Sequence, residues 1–292
     1  MTDPLTGMLA ALDLTDTGAR TDEDIFTGDS QWMPHGRVYG GQVLAQALVA
    51  AMRTIPDERR VHSMHGYFLR AGDIGVPITF SVDRIHDGRS FSARRTQAYQ
   101  NGIPILSMIA SFQTDADGLD HQVAMPTDLP SPDELPDAAA ALIDLDHPIG
   151  RYWATQRAFS MRHIPSPVYL SVEGAHVAHQ AVWFKATGPL PDDDALHRAA
   201  LVFASDYTIL ESVFRRHGLA WATPGLKVAS LDHAMWWHRS GRVDDWLLYA
   251  QESPSASGGR GLAQGRIYTK SGVLLASVAQ EGMIRLPREG KA

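Results

Sequence analysis

Ser230-Leu231-Asp232-His233-Ala234-Met235-Trp236-Trp237-His238-Arg239 reads as a strand with more polar side chains than a core strand needs. A serine, an aspartate and two histidines are set among aromatic and apolar residues. A near copy lies earlier in the chain. Residues 61–72 read V-H-S-M-H-G-Y-F-L-R-A-G, and residues 230–241 read S-L-D-H-A-M-W-W-H-R-S-G. Laying Gly72 on Gly241 brings Arg70 onto Arg239, and Tyr67-Phe68 onto Trp236-Trp237. An internal repeat of this kind decides the architecture before any single element is read.

Working outward, the turns repeat as well. Gly88-Arg89 matches Gly259-Arg260, Gly102 matches Gly272, and Ser107 matches Ser277. In the first half, Gly40-Gly41 opens a helix running to Met52, with Val43, Ala47 and Ala50 at helical spacing, and Pro56 follows it. Strands are expected over 61–70, 78–86, 90–100 and 103–113, separated by Gly72-Asp73, Asp87-Gly88 and Asn101-Gly102. A short helix is expected over 8–14, and an irregular stretch over 25–38.

The second half has a longer preface, with strands expected over 162–172 and 176–187. A helix over 195–214 follows, with a break allowed for at Ser205-Asp206. Strands over 228–239, 246–253, 262–269 and 273–280 complete it. Between the halves, Pro126, Pro130, Pro132 and Pro136 lie among seven acidic residues from Asp115 to Asp137, which predicts an extended connector. One helix followed by an antiparallel run of strands, twice, is an α+β fold. The expected division is a first unit over 1–114, an acidic Pro-rich linker over 115–150 and a second unit over 151–292.

Composition removes several function classes. The 292 residues carry a net charge of −7 and no basic run, which argues against nucleic acid or an anionic membrane as partner. There is no cysteine, so disulfides, thiolate metal sites and a cysteine nucleophile are excluded. No apolar stretch approaches the roughly 20 residues of a membrane span. The N-terminus lacks the layout of a signal peptide and the C-terminus is not a peroxisomal signal, so a cytoplasmic location is expected.

The strings Y-G-G-Q-V-L-A-Q-A-L, H-S-M-H-G-Y-F-L-R-A-G-D, L-D-H-A-M-W-W-H-R and V-A-Q-E-G-M-I-R, in that order, resemble the acyl-CoA thioesterase II family. The resemblance extends from about Phe26 to Arg285. It implies a tandem double hotdog, each antiparallel sheet wrapped around one long helix. It also implies hydrolysis of acyl-CoA to a free acid and coenzyme A, with no metal and no bound cofactor. The family's catalytic residues are an Asp at the start of the second helix, a Thr or Ser on the next strand and a Gln on the last strand. These fall on Asp206, Ser230 and Gln280. Family members associate, so a homodimer or homotetramer is expected.

The chemistry is consistent with that carry-over. A carboxylate can take a proton from water as general base. A hydroxyl and an amide can hold that water and fix its line of attack. Each residue also has a plain reading: Asp206 as a helix cap, Ser230 as a strand-edge hydroxyl. Gln280 aligns with Ala110 in the first half, and Gly40-Gly41 with Ser205-Asp206. That asymmetry predicts a single site drawn from the second unit. Gly40 and Gly41 are candidate substrate contacts, through close backbone approach at a helix start. Asp232 and His233 are strand neighbours facing opposite ways, which favours a structural role for His233, hydrogen bonding to backbone. Two other functions stay open: a silent acyl-CoA binding protein, and a hotdog hydratase acting on an enoyl-thioester.

Overall fold

The computed structural model describes residues 3–19, 21–140, 142–143 and 148–287. Helix α1 (Pro4–Leu12), short strands β1 (Thr15–Asp16) and β2 (Asp24–Gly28), and helix α2 (Gly40–Met52) precede four long strands. These are β3 (Arg59–Phe68), β4 (Ile78–Asp87), β5 (Phe91–Gln100) and β6 (Ile103–Thr114). After the linker come α3 (Pro148–Thr155), β7 (Phe159–Ile164) and β8 (His179–Ala186). Two helices follow, α4 (Asp194–Ser205) and α5 (Glu211–Arg216). The last strands are β9 (Lys227–Ser230), β10 (Asp232–Trp237), β11 (Leu247–Ser257), β12 (Arg260–Thr269) and β13 (Leu274–Arg285).

All these strands join one antiparallel sheet, in the order β1-β2-β4-β5-β6-β3-β10-β13-β12-β11-β8-β7, with β9 paired to β13. The two halves meet where β3 pairs with β10. There His65 stands opposite Ala234, its own counterpart in the repeat. Counterparts facing each other across an antiparallel pair are what a local two-fold relation between the halves requires. The double hotdog is therefore one continuous sheet wrapped around helices from both units.

Helix α2 is buried from Gly41 to Ala51, and apart from Gln42 and Gln46 its residues are apolar or glycine. Its two buried amides are satisfied: Gln46 Nε2 donates to the carbonyls of Ala11 and Asp29, and Gln42 Oε1 accepts from Gln31 N. In the second unit the helix expected over 195–214 breaks after Ser205, at the place allowed for, leaving α4 of 12 residues beside α2 of 13 and the short α5. Ser205 Oγ donates back to Val202 O, a bond that loosens the helical ladder. Bonds of three-residue span, Tyr207 N to Ala204 O and Glu211 N to Thr208 O, then carry the chain through a turn.

Other differences have local causes. The strand expected over 162–172 ends at Ile164, because Pro165 and Pro167 cannot donate to a ladder. The strand expected over 228–239 is split at Leu231 into β9 and β10. The irregular stretch 25–38 contains most of β2, whose only buried residue is Phe26. The linker is pinned to the second unit: Gln122 bridges Gly272 O and Leu274 N, and Trp183 Nε1 donates to Pro130 O. Met125, Leu129 and Leu135 cover a small apolar cluster around Trp183 and Tyr268. No helix among the described residues is long and apolar enough to cross a membrane.

Candidate functional site

Asp206 directly follows α4, so it sits at a helix C-terminus rather than at a helix start. The dipole of α4 disfavours a carboxylate there. A second helix supplies the opposite field. Gly41, in the first turn of α2, donates its N–H to Asp206 Oδ2 at 2.8 Å. The sequence-based expectation of a site drawn from the second unit alone is therefore corrected, because the first unit holds one oxygen of the carboxylate. The glycines are required for that approach. A Cβ on Gly40 would lie 2.7 Å from Asp206 Oδ2, and one on Gly41 would lie 2.5 Å from Phe203 O.

The other carboxylate oxygen meets the other two expected residues. Gln280 Nε2 donates to Asp206 Oδ1 at 2.9 Å, and Ser230 Oγ donates to the same oxygen at 3.3 Å. Gln280 Nε2 is also 2.9 Å from Ser230 Oγ. Ser230 is the last residue of β9, and Gln280 lies within β13 and is wholly buried. All three expected residues are thus brought into one hydrogen-bonded group, with Gly41 as a fourth member.

Sequence reasoning assigned His233 to backbone bonding, and the structure places it elsewhere. Its ring is wholly buried, with Nδ1 bonded to Gln280 Oε1 and Nε2 3.0 Å from Ser205 Oγ. Asp232 faces the other way and accepts the N–H of Glu281, as strand alternation requires. The break at Leu231 explains the surprise. Ser230 and His233 have opposite parity and would diverge on a continuous strand. Leu231 N instead bonds Glu281 O, and both side chains turn to the same glutamine.

Burial pushes the Asp206 carboxyl above the ordinary carboxylate range, an effect reduced by His233 and by the bonds from Gln280, Gly41 and Ser230. Burial also lowers the basicity of His233, against the attraction of Asp206, which favours the neutral imidazole. Among the described residues no group of three or more His, Asp or Glu converges as a metal site.

Gly40 and Ser230 line a cleft of about 1150 Å³. Both units and the linker contribute: Arg37 and Arg70 from the first, Leu142, Tyr152 and Trp153 from the linker and α3, and Tyr169 and Trp221 from the second. Trp153 packs against Tyr169 and Trp221, with ring centroids 5.2 and 5.9 Å apart. Trp221 Nε1 donates to buried Glu211 at 2.9 Å, which fixes the indole in the wall. These aromatic residues carried no motif, so only their convergence in space reveals them. A mostly apolar cleft with a few polar side chains in its wall, here Ser230 among them, is the usual form of a small-molecule site.

Comparison with known proteins places the fold and the family. The acyl-CoA thioesterase family matches residues 154–283, and the acyl-CoA thioesterase N-terminal domain family matches residues 29–113. Acyl-CoA thioesterase 2 of Haemophilus influenzae is 37% identical over 98% of this chain and 99% of its own. Human acyl-coenzyme A thioesterase 8 is 39% identical over 91% of this chain and 86% of its own. The crystal structure of an acyl-CoA thioesterase II from Mycobacterium marinum is similar at a TM-score of 0.77 and 41% identity, over 96% of this chain and 99% of that one.

Proposed function

The chain belongs to the acyl-CoA thioesterase family and is a thioester hydrolase, and we propose that Asp206, Ser230 and Gln280 perform the hydrolysis of acyl-CoA. Asp206 acts as general base and takes a proton from a water. Ser230 Oγ and Gln280 Nε2 hold that water, and the hydroxide equivalent attacks the thioester carbonyl. The C–S bond breaks, coenzyme A leaves as the thiol, and the acid is released. The carrying observation is the convergence of the three side chains at 2.9 to 3.3 Å beside the cleft. The raised affinity of Asp206 for a proton suits a base, since catalysis is best served by a group poised nearer the working pH.

The N-terminus of α2 opens on the cleft at Gly40, and its positive end suits the carbonyl oxygen as charge develops there. The enoyl-thioester hydratase reading is less well supported. It calls for an Asp and a His on one helix start, whereas Asp206 ends a helix and the nearest imidazole comes from β10 and bonds Gln280. We propose the same division of the chain, 1–114, 115–150 and 151–292, and association as a homodimer or homotetramer. Half-exposed Ile109 and exposed Tyr67 on the outer face of the sheet support association.

The test is release of free coenzyme A from a panel of acyl-CoAs by the wild type and by Asp206→Asn. With no cysteine in the chain, a thiol reagent reports product alone. General-base loss lowers kcat by about 10²–10⁴-fold. Hydrolysis by Asp206→Asn at the wild-type rate would remove the base assignment. Binding without release by the wild type would favour a silent acyl-CoA binding protein.

A further inference from the structure

An amide side chain has two ends of similar shape and opposite hydrogen-bonding character. Gln280 can serve Asp206 and Ser230 only with its NH₂ end turned toward them. Turned over, its oxygen would face the carboxylate and the serine-held water would lose a donor. Asp206 alone does not fix that choice once its charge changes during proton transfer. Something on the far side of the amide has to hold the oxygen.

His233 is the group in that place. Nδ1 bonds Gln280 Oε1, and an N–H there accepts no alternative orientation of the amide. With Nδ1–H given to Gln280, Nε2 is the acceptor and takes the Ser205 hydroxyl proton at 3.0 Å, a proton that Ser205 Oγ shares with Val202 O at 2.9 Å, so the ring is fixed from behind by α4. The ring is wholly buried, and its hydrogen bonds go to Gln280 and Ser205, not to Asp206 or Ser230.

The first unit supplies an independent comparison. In the repeat that lays His65 on Ala234 the counterpart of His233 is Met64, and by the match of Ser107 with Ser277 the counterpart of Gln280 is Ala110. Met64 stands opposite Ala110 between β3 and β6. His233 stands opposite Gln280 between β10 and β13, one step on from the pair Ala234–Ala279. Both members of the pair are polar in the half that carries Asp206 and both are apolar in the half that does not. A histidine needed only to fill the core would have no reason to accompany the glutamine.

We propose that His233 is a positioning residue of the hydrolytic site: its Nδ1–H holds Gln280 Oε1 and so keeps Gln280 Nε2 on Asp206 and Ser230. The inference rests on the role given to Gln280 above. It acts through another side chain, and it concerns rate rather than binding.

The experiment is a cycle of His233→Met, Gln280→Ala and the double variant, assayed for release of coenzyme A thiol. Methionine is the residue that the first unit carries at this place, and His233→Leu is a second donor-less side chain should the methionine fold poorly. Removing a group that orients a site residue typically costs about 10–100-fold in activity. His233→Met is expected to lower kcat by that order with KM changed less than about threefold. The double variant should be no slower than Gln280→Ala alone, since the orienter has nothing left to orient. His233→Asn keeps an amide N–H at the position of Nδ1 and should recover most of the rate. Wild-type kcat in His233→Met, or losses that multiply in the double variant, would overturn the proposal. Wild-type kcat in Gln280→Ala would instead overturn the role of Gln280, so the two failures are distinguishable.

Discussion

Gly41 and Asp206, 165 residues apart, are joined by one hydrogen bond of 2.8 Å that ties the start of α2 in one unit to the end of α4 in the other. Helices α2 and α4 pack side by side, and this contact sets where the carboxylate stands. The small side of that contact is glycine on both residues that begin α2.

Gly41→Ala should therefore destabilise the fold. The new methyl would meet Phe203 O at 2.5 Å and the Tyr39 ring at 2.7 Å, and a backbone carbonyl cannot step aside. Overpacking of this kind costs about 1–3 kcal/mol, read as a lower urea midpoint. Gly118→Ala is the control, since nothing lies within 4 Å of its would-be methyl, and it should stay within about 0.5 kcal/mol of wild type. Equal midpoints for the two variants would refute the close-packing account.

Ser230 offers a graded test. Its Oγ lies 3.3 Å from Asp206 Oδ1 and 2.9 Å from Gln280 Nε2. Ser230→Ala removes one hydrogen-bonding partner to a charged group, worth about 1.5–3 kcal/mol, or about 10–150-fold in kcat. Ser230→Thr keeps the hydroxyl and adds a methyl that restricts χ1, so its kcat should remain within about threefold of wild type. The two kcat values measured together decide it: an alanine variant as fast as the threonine one would take the hydroxyl out of the mechanism.

The pH profile follows from burial. A general base works in its ionised form, so rate falls as pH drops through its folded pKa. The Asp206 carboxyl is raised above the usual value of about 4, and the acid limb of kcat/KM should lie correspondingly above pH 4. The stability effect has the opposite sign. A group with a raised folded pKa contributes stability that is full below its unfolded pKa and is lost as pH rises through the folded one. Acidification through the limb should therefore lower the rate without any fall in Tm caused by this residue. A limb centred at or below pH 4, or one that coincides with thermal destabilisation, would contradict the assignment.

Much of the fold is legible in the chain because it follows from near neighbours. Alternation along β5 and β6, glycines at the turns, and the helical spacing of apolar residues in α2 each depend on contacts two to four residues away. Strand β2 escaped because it has five residues and one buried side chain, too short for a period to show. The break at Leu231 escaped because nothing in S-L-D-H signals it. That break depends on Leu231 N pairing with Glu281 O, far along the sequence.

The site divides along the same line. Asp206, Ser230 and Gln280 could be named from motif order, and Gln280 also from its contrast with Ala110. The part played by Gly41 N–H, the turn of His233 toward Gln280 and the aromatic wall of Trp153, Tyr169 and Trp221 could not. The sequence by itself determined a duplicated α+β chain with one polar half and one apolar half at equivalent positions. The tertiary structure alone decided that the candidate site draws on both halves. The reason is physical: residues separated by 165 positions meet only when two helices pack, and a local pattern carries no record of which faces will be packed together.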